Sequence, residues 1–548
     1  MPDPKDNTPP ALGQPSISPQ LPSQEKPALG KPEPVVEPEL PTLDMKSTSR
    51  TIGGQSIQPD PMSSLEKEKP FVPPPPPPPP RYVPPPPPPA SSTVASQTAP
   101  PPAESPQVTP PKRSGNIKKF FMIAAAAIGL SALAFLIVRV VLPRIQSIKV
   151  PGLPGKEIAL TYWGLWEPNA VMQDVIDEYV LDHPNVKIEY VQQSHKDYRE
   201  RLQSALARGE GPDIFRFHNT WVPMLNDDLD AVPADVYSAG DFQETFYPTA
   251  ARDLRRGASF VGIPLETDGL ALFYNKEIFK TAGKIPPTTW EDLRKTAFDL
   301  TIRDSQGRIQ RAGVALGTTG NVDHWPDILG LMMLQNGANL SDPTDKLAAD
   351  ALLFYTIFVR SDKVWDATLP GSTQAFASGD VAMYFGPSWR VLDIKALNPD
   401  LDFAVIPVPQ LPKSDITWAS YWVEGVSAQS ENTKDAWEFL KFLSSKETLE
   451  KFYASAVKSG RMIGEPYSRK DMRELLADDP AAGAYVNQAS NAQSWYLSSL
   501  THDNGINDRI IKYFEDAVNA VNQRTDPEQA LSTAAEGVSQ VLTQYGIK

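Results

Sequence analysis

The chain has 548 residues, a formal net charge of −14 and no cysteine. The acidic balance argues against a nucleic-acid partner, and the missing thiols exclude disulfides, thiolate metal sites and a lipid-modified cysteine. Composition divides the chain sharply: 35 of the 58 prolines lie before Lys112 and all 11 tryptophans lie after Thr161, so only the later part has the aromatic mass for a core.

Residues 1–116 read as a disordered proline-rich tail. Within it Pro73–Pro80 and Pro84–Pro89 are polyproline tracts, stiff left-handed helices rising ~3.1 Å per residue. Two uses fit them, a spacer or a docking ligand for a proline-recognition partner with an aromatic groove. Residues 117–142 contain the 19-residue uncharged run Phe120–Val138, which at ~1.5 Å per residue spans about 28 Å, close to the ~30 Å hydrocarbon thickness. One transmembrane helix is expected there. The run begins more than a hundred residues in, is too long for a signal-peptide core and lacks a small-x-small cleavage site after it, so it reads as a retained single-pass anchor. Lys112, Arg113, Lys118 and Lys119 precede it and Arg139, Arg144 and Lys149 end or follow it, a balance that leans slightly towards a cytoplasmic tail. A linker at 143–156 would hold the following domain close to the membrane.

Residues 157–548 are too many for one core and suit two lobes. Ile158–Trp163 is a buried strand, and Val171, Val175, Ile176, Tyr179 and Val180 mark a helix face. Val186–Val191 alternates as a second strand, Tyr198, Leu202, Ala205 and Leu206 mark a second helix, and Asp213–Phe217 is a third strand. This βαβαβ order predicts a parallel sheet with right-handed crossovers. From Phe260 to Thr301 the chain leaves that sheet through Gly262-Ile263-Pro264, enters a buried strand at Gly269–Tyr274 and opens a helix at Asn275-Lys276, which Pro286-Pro287 ends. Thr288/Thr289 with Glu291/Asp292 then cap an amphipathic helix. Phe403–Pro409 looks like the crossing back to the first lobe, which a strand near Tyr421–Ala428 and the helix Asp435–Leu443 would rejoin. Ile506, Ile510, Phe514, Ala517 and Val521 form a helical stripe, and Asp526-Pro527 opens a last helix.

Those hinge segments, with Ala282-Gly283 and Pro286–Leu293 (PPTTWEDL), closely resemble extracellular solute-binding proteins of the carbohydrate type, the maltose-binding-like partners of ABC importers. Gly211-Pro212-Asp213-Ile214, Phe376–Met383 (FASGDVAM) and Ala436–Leu440 (AWEFL) add to the likeness. The resemblance implies an α/β, two-lobed periplasmic-binding-protein-like fold, with lobe 1 at about 157–266 and 402–460 and lobe 2 at about 267–401 and 461–548. It implies a carbohydrate ligand, ABC permease subunits as partners, no cofactor, no catalysis and a binding domain outside the membrane, hence a cytoplasmic tail.

Sugars present flat apolar faces edged by hydroxyls, so a receptor needs aromatic platforms and short polar groups. Ligands of parallel sheets sit beyond the carboxyl ends of the strands, which points Trp163, Trp166 and Glu167, and His218, Asn219 and Trp221, at one crevice. Trp325, Trp389, Tyr421 and Trp422 also stand in loop contexts, where core packing is an equal alternative; Trp290 and Trp437, inside helical patterns, are packing residues. By resemblance, Trp389 in Gly386–Arg390 is the stacking platform, Glu266 and Asp268 are hinge carboxylates that meet sugar hydroxyls, and Asn219 and Glu167 contact ligand. The pair Trp166-Glu167 departs from the acidic-basic pair of maltose-binding relatives. Arg461, after Ser459-Gly460, lines the cleft.

Two other classes remain open. A glycosidase would set Glu167 against Glu266 or Asp268, but no hydrolase, P-loop or dinucleotide motif accompanies them, and the five histidines are scattered through the sequence, which gives no metal cluster. A membrane-tethered sensor would use the same binding domain, with the tail recruiting a partner on the opposite face.

Overall fold

The computed structural model describes residues 157–547. The tail, the apolar run and the linker expected at 1–156 lie outside them. Among the described residues no helix is long and apolar enough to cross a membrane.

The first elements follow the βαβαβ order: β1 (Ile158–Gly164), α1 (Asn169–Asp182), β2 (Val186–Gln192), α2 (Tyr198–Ala207) and β3 (Ile214–His218). Strand β1 pairs in parallel with both β2 and β3, and every residue of β3 is buried. After β3 the chain turns at once into a 3-10 turn, Asn219–Trp221.

The crossing to the second sheet is tight. Ile263 bridges to Glu424, Glu266 to Tyr467 and Gly269 to Ala419. At Gly269 the crossing backbones come so close that a Cβ would stand 1.8 Å from the carbonyl oxygen of Trp418, a distance only glycine tolerates. The second sheet contains β4 (Ala271–Asn275), β5 (Ile302–Arg303), β6 (Ile309–Val314), β7 (Val381–Gly386) and β8 (Phe403–Ile406), in the order β8-β4-β7-β6-β5. The chain returns to the first sheet with β9 (Trp422–Val426), which pairs antiparallel to β3 and gives the order β9-β3-β1-β2.

Three local expectations change. Phe403–Ile406 is no crossing but the edge strand of the second sheet, antiparallel to β4, because Phe403 packs on Phe273 and Phe376. Near Arg461 the chain does not yet leave the first half: Arg469 pairs with Phe246. The helix Lys276–Ala282 ends at Gly283, in the left-handed region at φ 61°, ahead of the two prolines. The cap at Thr289 accepts from the Asp292 amide, the one at Asp526 accepts from Glu528 and Gln529, and the stripe Ile506, Ile510, Phe514, Ala517 and Val521 is buried.

The first sheet carries a charge through its middle. Arg216 on β3 lies opposite Glu424 on β9, with Nε 2.6 Å from Oε1 and both side chains at most 1% exposed. Tyr162 donates to the same oxygen at 2.8 Å, and Glu465 stands 3.3 Å from the Arg216 guanidinium. Removing one partner of a buried pair strands the other charge, so R216M should cost about 3–5 kcal/mol in urea unfolding. The double variant R216M/E424L should recover part of that loss; a double-variant loss equal to the sum of the R216M and E424L losses would show that the pair carries no coupling.

Candidate functional site

Between the two sheets lies a cavity of about 330 Å³. Its walls come from the carboxyl ends of β1, β3 and β7 and from the start of the antiparallel β9, which opens on the same edge. This is the topological switch region where open α/β sheets hold ligands.

The structure brings six of the expected residues to this cavity: Trp166, Glu266, Asp268, Trp389, Trp422 and Arg461. Trp166 and Trp422 meet edge to face with centroids 5.6 Å apart. Trp422 is directly opposite His218 in the β3–β9 register, and the two rings stand 5.2 Å apart. Across the cavity Trp389 follows β7 and is 40% exposed, with the Arg390 guanidinium 4.3 Å from its ring centre and His324 edge-on at 5.7 Å. One indole face is thus held while much of the ring stays open.

The other six do not line it. Trp163 belongs to β1 and is half-buried against the core. Trp221 is fully buried, because the turn after β3 tucks its indole behind Trp422, 5.3 Å away. Asn219 and Tyr421 both donate to Asp253, and the Asn219 carbonyl oxygen accepts from the Tyr421 amide, so this trio ties β3 to β9. Trp325 opens the helix Trp325–Gln335 and is buried. Glu167 is buried behind the wall, where Arg461 stands 3.0 Å from its Oε1; it positions that arginine. Its carboxyl is held well above the ordinary range by burial and then by neighbouring Glu465. One oxygen of Glu167 and one of Glu465 have no hydrogen-bond partner among the described residues.

The polar lining is fixed from within the protein. Asp268 accepts from the amides of Gly269 and Ser388 at 2.7 and 2.9 Å and from the Ser388 hydroxyl at 2.8 Å. Burial nevertheless pushes its carboxyl up to about 7, with those hydrogen bonds pulling the other way. Asp327 accepts from the Trp418 indole and the Ser499 amide, and burial raises it to about 6. Glu266 accepts from the Trp422 amide at 3.0 Å and is raised by burial and then by Glu465.

Four of the five histidines converge here, His195, His218, His324 and His502, although they are scattered in the sequence. His195 stacks on Trp166 at 5.6 Å and lies 5.1 Å from His502. Burial lowers His218 to about 3, and burial followed by Arg390 holds His324 well below its ordinary value. The Arg390 Nε–H donates to Nε2 of His324, so the imidazole proton sits on Nδ1, facing Ser499. Among the described residues no group of three His, Asp or Glu side chains has metal-holding geometry. Sequence pattern pointed His218, at the end of β3, towards the crevice but missed His195, His324 and His502, which come from three segments far apart in the chain. The segment after β3 was legible, but the last residue of the strand faces the cavity and the next turns inward. Leu500 and His502 adopt left-handed backbone, at φ 58° and 50°, strain of a kind that collects at binding loops.

The pH dependence of Asp268 can be isolated by substitution. Its folded pKa lies above the unfolded one, so the native state binds the extra proton and the wild type loses stability as pH rises from 3.8 to about 7. Asn does not titrate. The melting temperature of D268N relative to wild type should therefore rise across that interval by several degrees; a constant difference would mean that the Ser388 and Gly269 donors cancel the burial penalty.

Residues 164–450, just over half of the chain, match the family of bacterial extracellular solute-binding proteins. The chain is 23% identical over 305 residues to the maltotriose-binding protein of Pyrococcus abyssi, a match covering 52% of this chain and 62% of that protein. It thus spans under two thirds of that relative's length. Among solved structures, the sugar-binding protein MalE from Xanthomonas citri superposes with a TM-score of 0.59 at 19% identity, covering 70% of this chain and 98% of that one. A solute-binding protein of Thermotoga lettingae bound with α-D-tagatose gives 0.55 at 23% identity, over 70% and 100%. These likenesses show a common two-lobed α/β fold, and the relatives are binding proteins rather than enzymes, which leaves the opposed-carboxylate glycosidase reading without support. On the match over residues 164–450, the chain belongs to the bacterial extracellular solute-binding protein family.

Proposed function

We propose that this protein captures a saccharide by closure of two lobes and delivers it to an ABC permease. The observation that carries the reading is the set of three indoles, Trp166 and Trp422 from one side of the cavity and Trp389 from the other. Pyranose rings stack on such faces, and polar groups beside them bond the hydroxyls; here those are Glu266, Asp268 and Arg461. A ligand touching both sides favours the closed form by as much as it binds that form better than the open one. The sugar-binding names of the relatives support the substrate class.

In this reading the domain works outside the cytoplasm, tethered by the apolar run Phe120–Val138 in place of a lipid anchor, with the proline-rich tail on the inner face and open to a proline-recognition partner. The halves that move are proposed to be those built on the two sheets. The lobe assignment and the anchor rest on the sequence and the family.

Trp389 is open enough to be truncated without harm to the core. W389A should weaken saccharide binding by about 2 kcal/mol or more, roughly 30-fold, in calorimetric titrations of the full chain with maltotriose, tagatose and a panel of mono- and oligosaccharides, while the melting temperature of the free protein stays near that of wild type. Unchanged affinity in W389A would remove Trp389 from the site, and a full chain that binds only non-saccharide solutes would overturn the substrate class.

A further inference from the structure

Carboxyl groups outnumber guanidinium groups around the cavity. Glu266, Asp268, Asp327 and Glu465 line it, and Glu167 and Glu424 lie one side chain behind. Against these six carboxyl groups stand two guanidinium groups at ion-pair distance, Arg216 and Arg461. Arg390 is turned elsewhere, towards Asp393, Asp323 and the His324 ring, and the imidazoles of His218 and His324 are neutral.

Five of the six carboxyls have either a guanidinium at ion-pair distance or several hydrogen-bond donors, although one oxygen each of Glu167, Glu424 and Glu465 has no hydrogen-bond partner among the described residues. Arg216 serves Glu424 and Glu465, Arg461 serves Glu167, and Asp268 and Asp327 are saturated by amide, hydroxyl and indole donors. Glu266 is the exception. It is 7% exposed, its Oε1 accepts one backbone amide, and its Oε2 has no hydrogen-bond partner among the described residues, although Glu266 is part of the cavity wall. Burial and neighbouring Glu465 disfavour the ionised form of this group in the free protein, because closing a site over an uncompensated carboxylate costs several kcal/mol. A neutral hydroxyl answers the hydrogen bond but not the charge. An ammonium group answers both, with three donors and a positive charge, and the indole faces of Trp166, Trp389 and Trp422 add attraction for a cation.

On the saccharide reading of the cavity, we infer that the preferred guest is an amino sugar, whose protonated primary amine bonds Glu266 Oε2 while its ring stacks on an indole. Acetylation of that amine removes the charge and two of its donors. The unacetylated form is therefore the ligand.

The test is calorimetric titration of the full chain, in detergent micelles, with glucosamine, galactosamine, mannosamine and the β-1,4 dimer of glucosamine, each against its N-acetylated and its hydroxyl counterpart, with spermidine as a non-sugar cation. An amine-bearing sugar should bind at least tenfold tighter than both counterparts, with a gap that narrows as salt rises. The ratio of amine to hydroxyl affinity should also shrink in E266Q. Should that variant fold poorly, the wild-type comparison decides alone. Neutral forms binding as tightly as the amine, or a ratio unchanged in a folded E266Q, overturn the inference and leave the saccharide reading in place. Binding of spermidine with no saccharide bound overturns both.

Discussion

A guanidinium that is 1% exposed has to be neutralised where it stands, and Arg216 sits in the middle of β3, an inner strand of the first sheet. Its partners set much of the surrounding structure. Glu424 lies directly across on β9, so the pair reinforces the register that also places Trp422 opposite His218. Glu465 reaches it from a segment 249 residues further along the chain, which brings Arg461–Glu465 to the cavity wall. Glu465 in turn neighbours Glu167, and Glu167 holds Arg461. One connected run of charges thus leads from Tyr162 in the core to the guanidinium that lines the site, and no member can be withdrawn without stranding the next.

The aromatic lining is built on that frame. Trp221, buried beneath Trp422, and His218 beside it fix one platform from behind, while Arg390 and His324 fix the other. The two platforms belong to different sheets, and the chain passes between those sheets at a crossing where Gly269 leaves room for no side chain. Rigid walls on either side of a narrow connection are the arrangement in which small changes at a few residues move whole lobes. The carboxyls Glu266 and Asp268 stand at that crossing, so the groups that would sense a ligand's charge lie where the halves meet.

Much of the fold was legible in the sequence because its signals are local. Apolar spacing gave the βαβαβ start, Thr289 and Asp526 announced helix starts by the donors they can satisfy, and the stripe from Ile506 to Val521 announced a buried face. Loop aromatics next to strand ends pointed to Trp166, Trp389 and Trp422. The same signals misplaced Phe403–Ile406, since an apolar strand with prolines after it reads alike whether it crosses between sheets or closes the edge of one.

By itself the sequence determined which segments are strands and helices, that the later part builds a core, and which family it resembles; each of these depends on residues within a turn or two of one another. Only the tertiary structure decided that of the residues pointed at the crevice after β3 it is His218 that faces the cavity while Asn219 ties two strands together, that Glu167 is a support for Arg461, that four scattered histidines line one cavity, and that Glu266 has a single hydrogen-bond donor and no guanidinium at ion-pair distance. Those outcomes depend on contacts between residues far apart in the chain, such as Asn219 with Tyr421 at a separation of 202 and Glu167 with Arg461 at 294, and on the sign and burial of charges that meet only when the sheets pair. No periodicity along the chain encodes such a meeting.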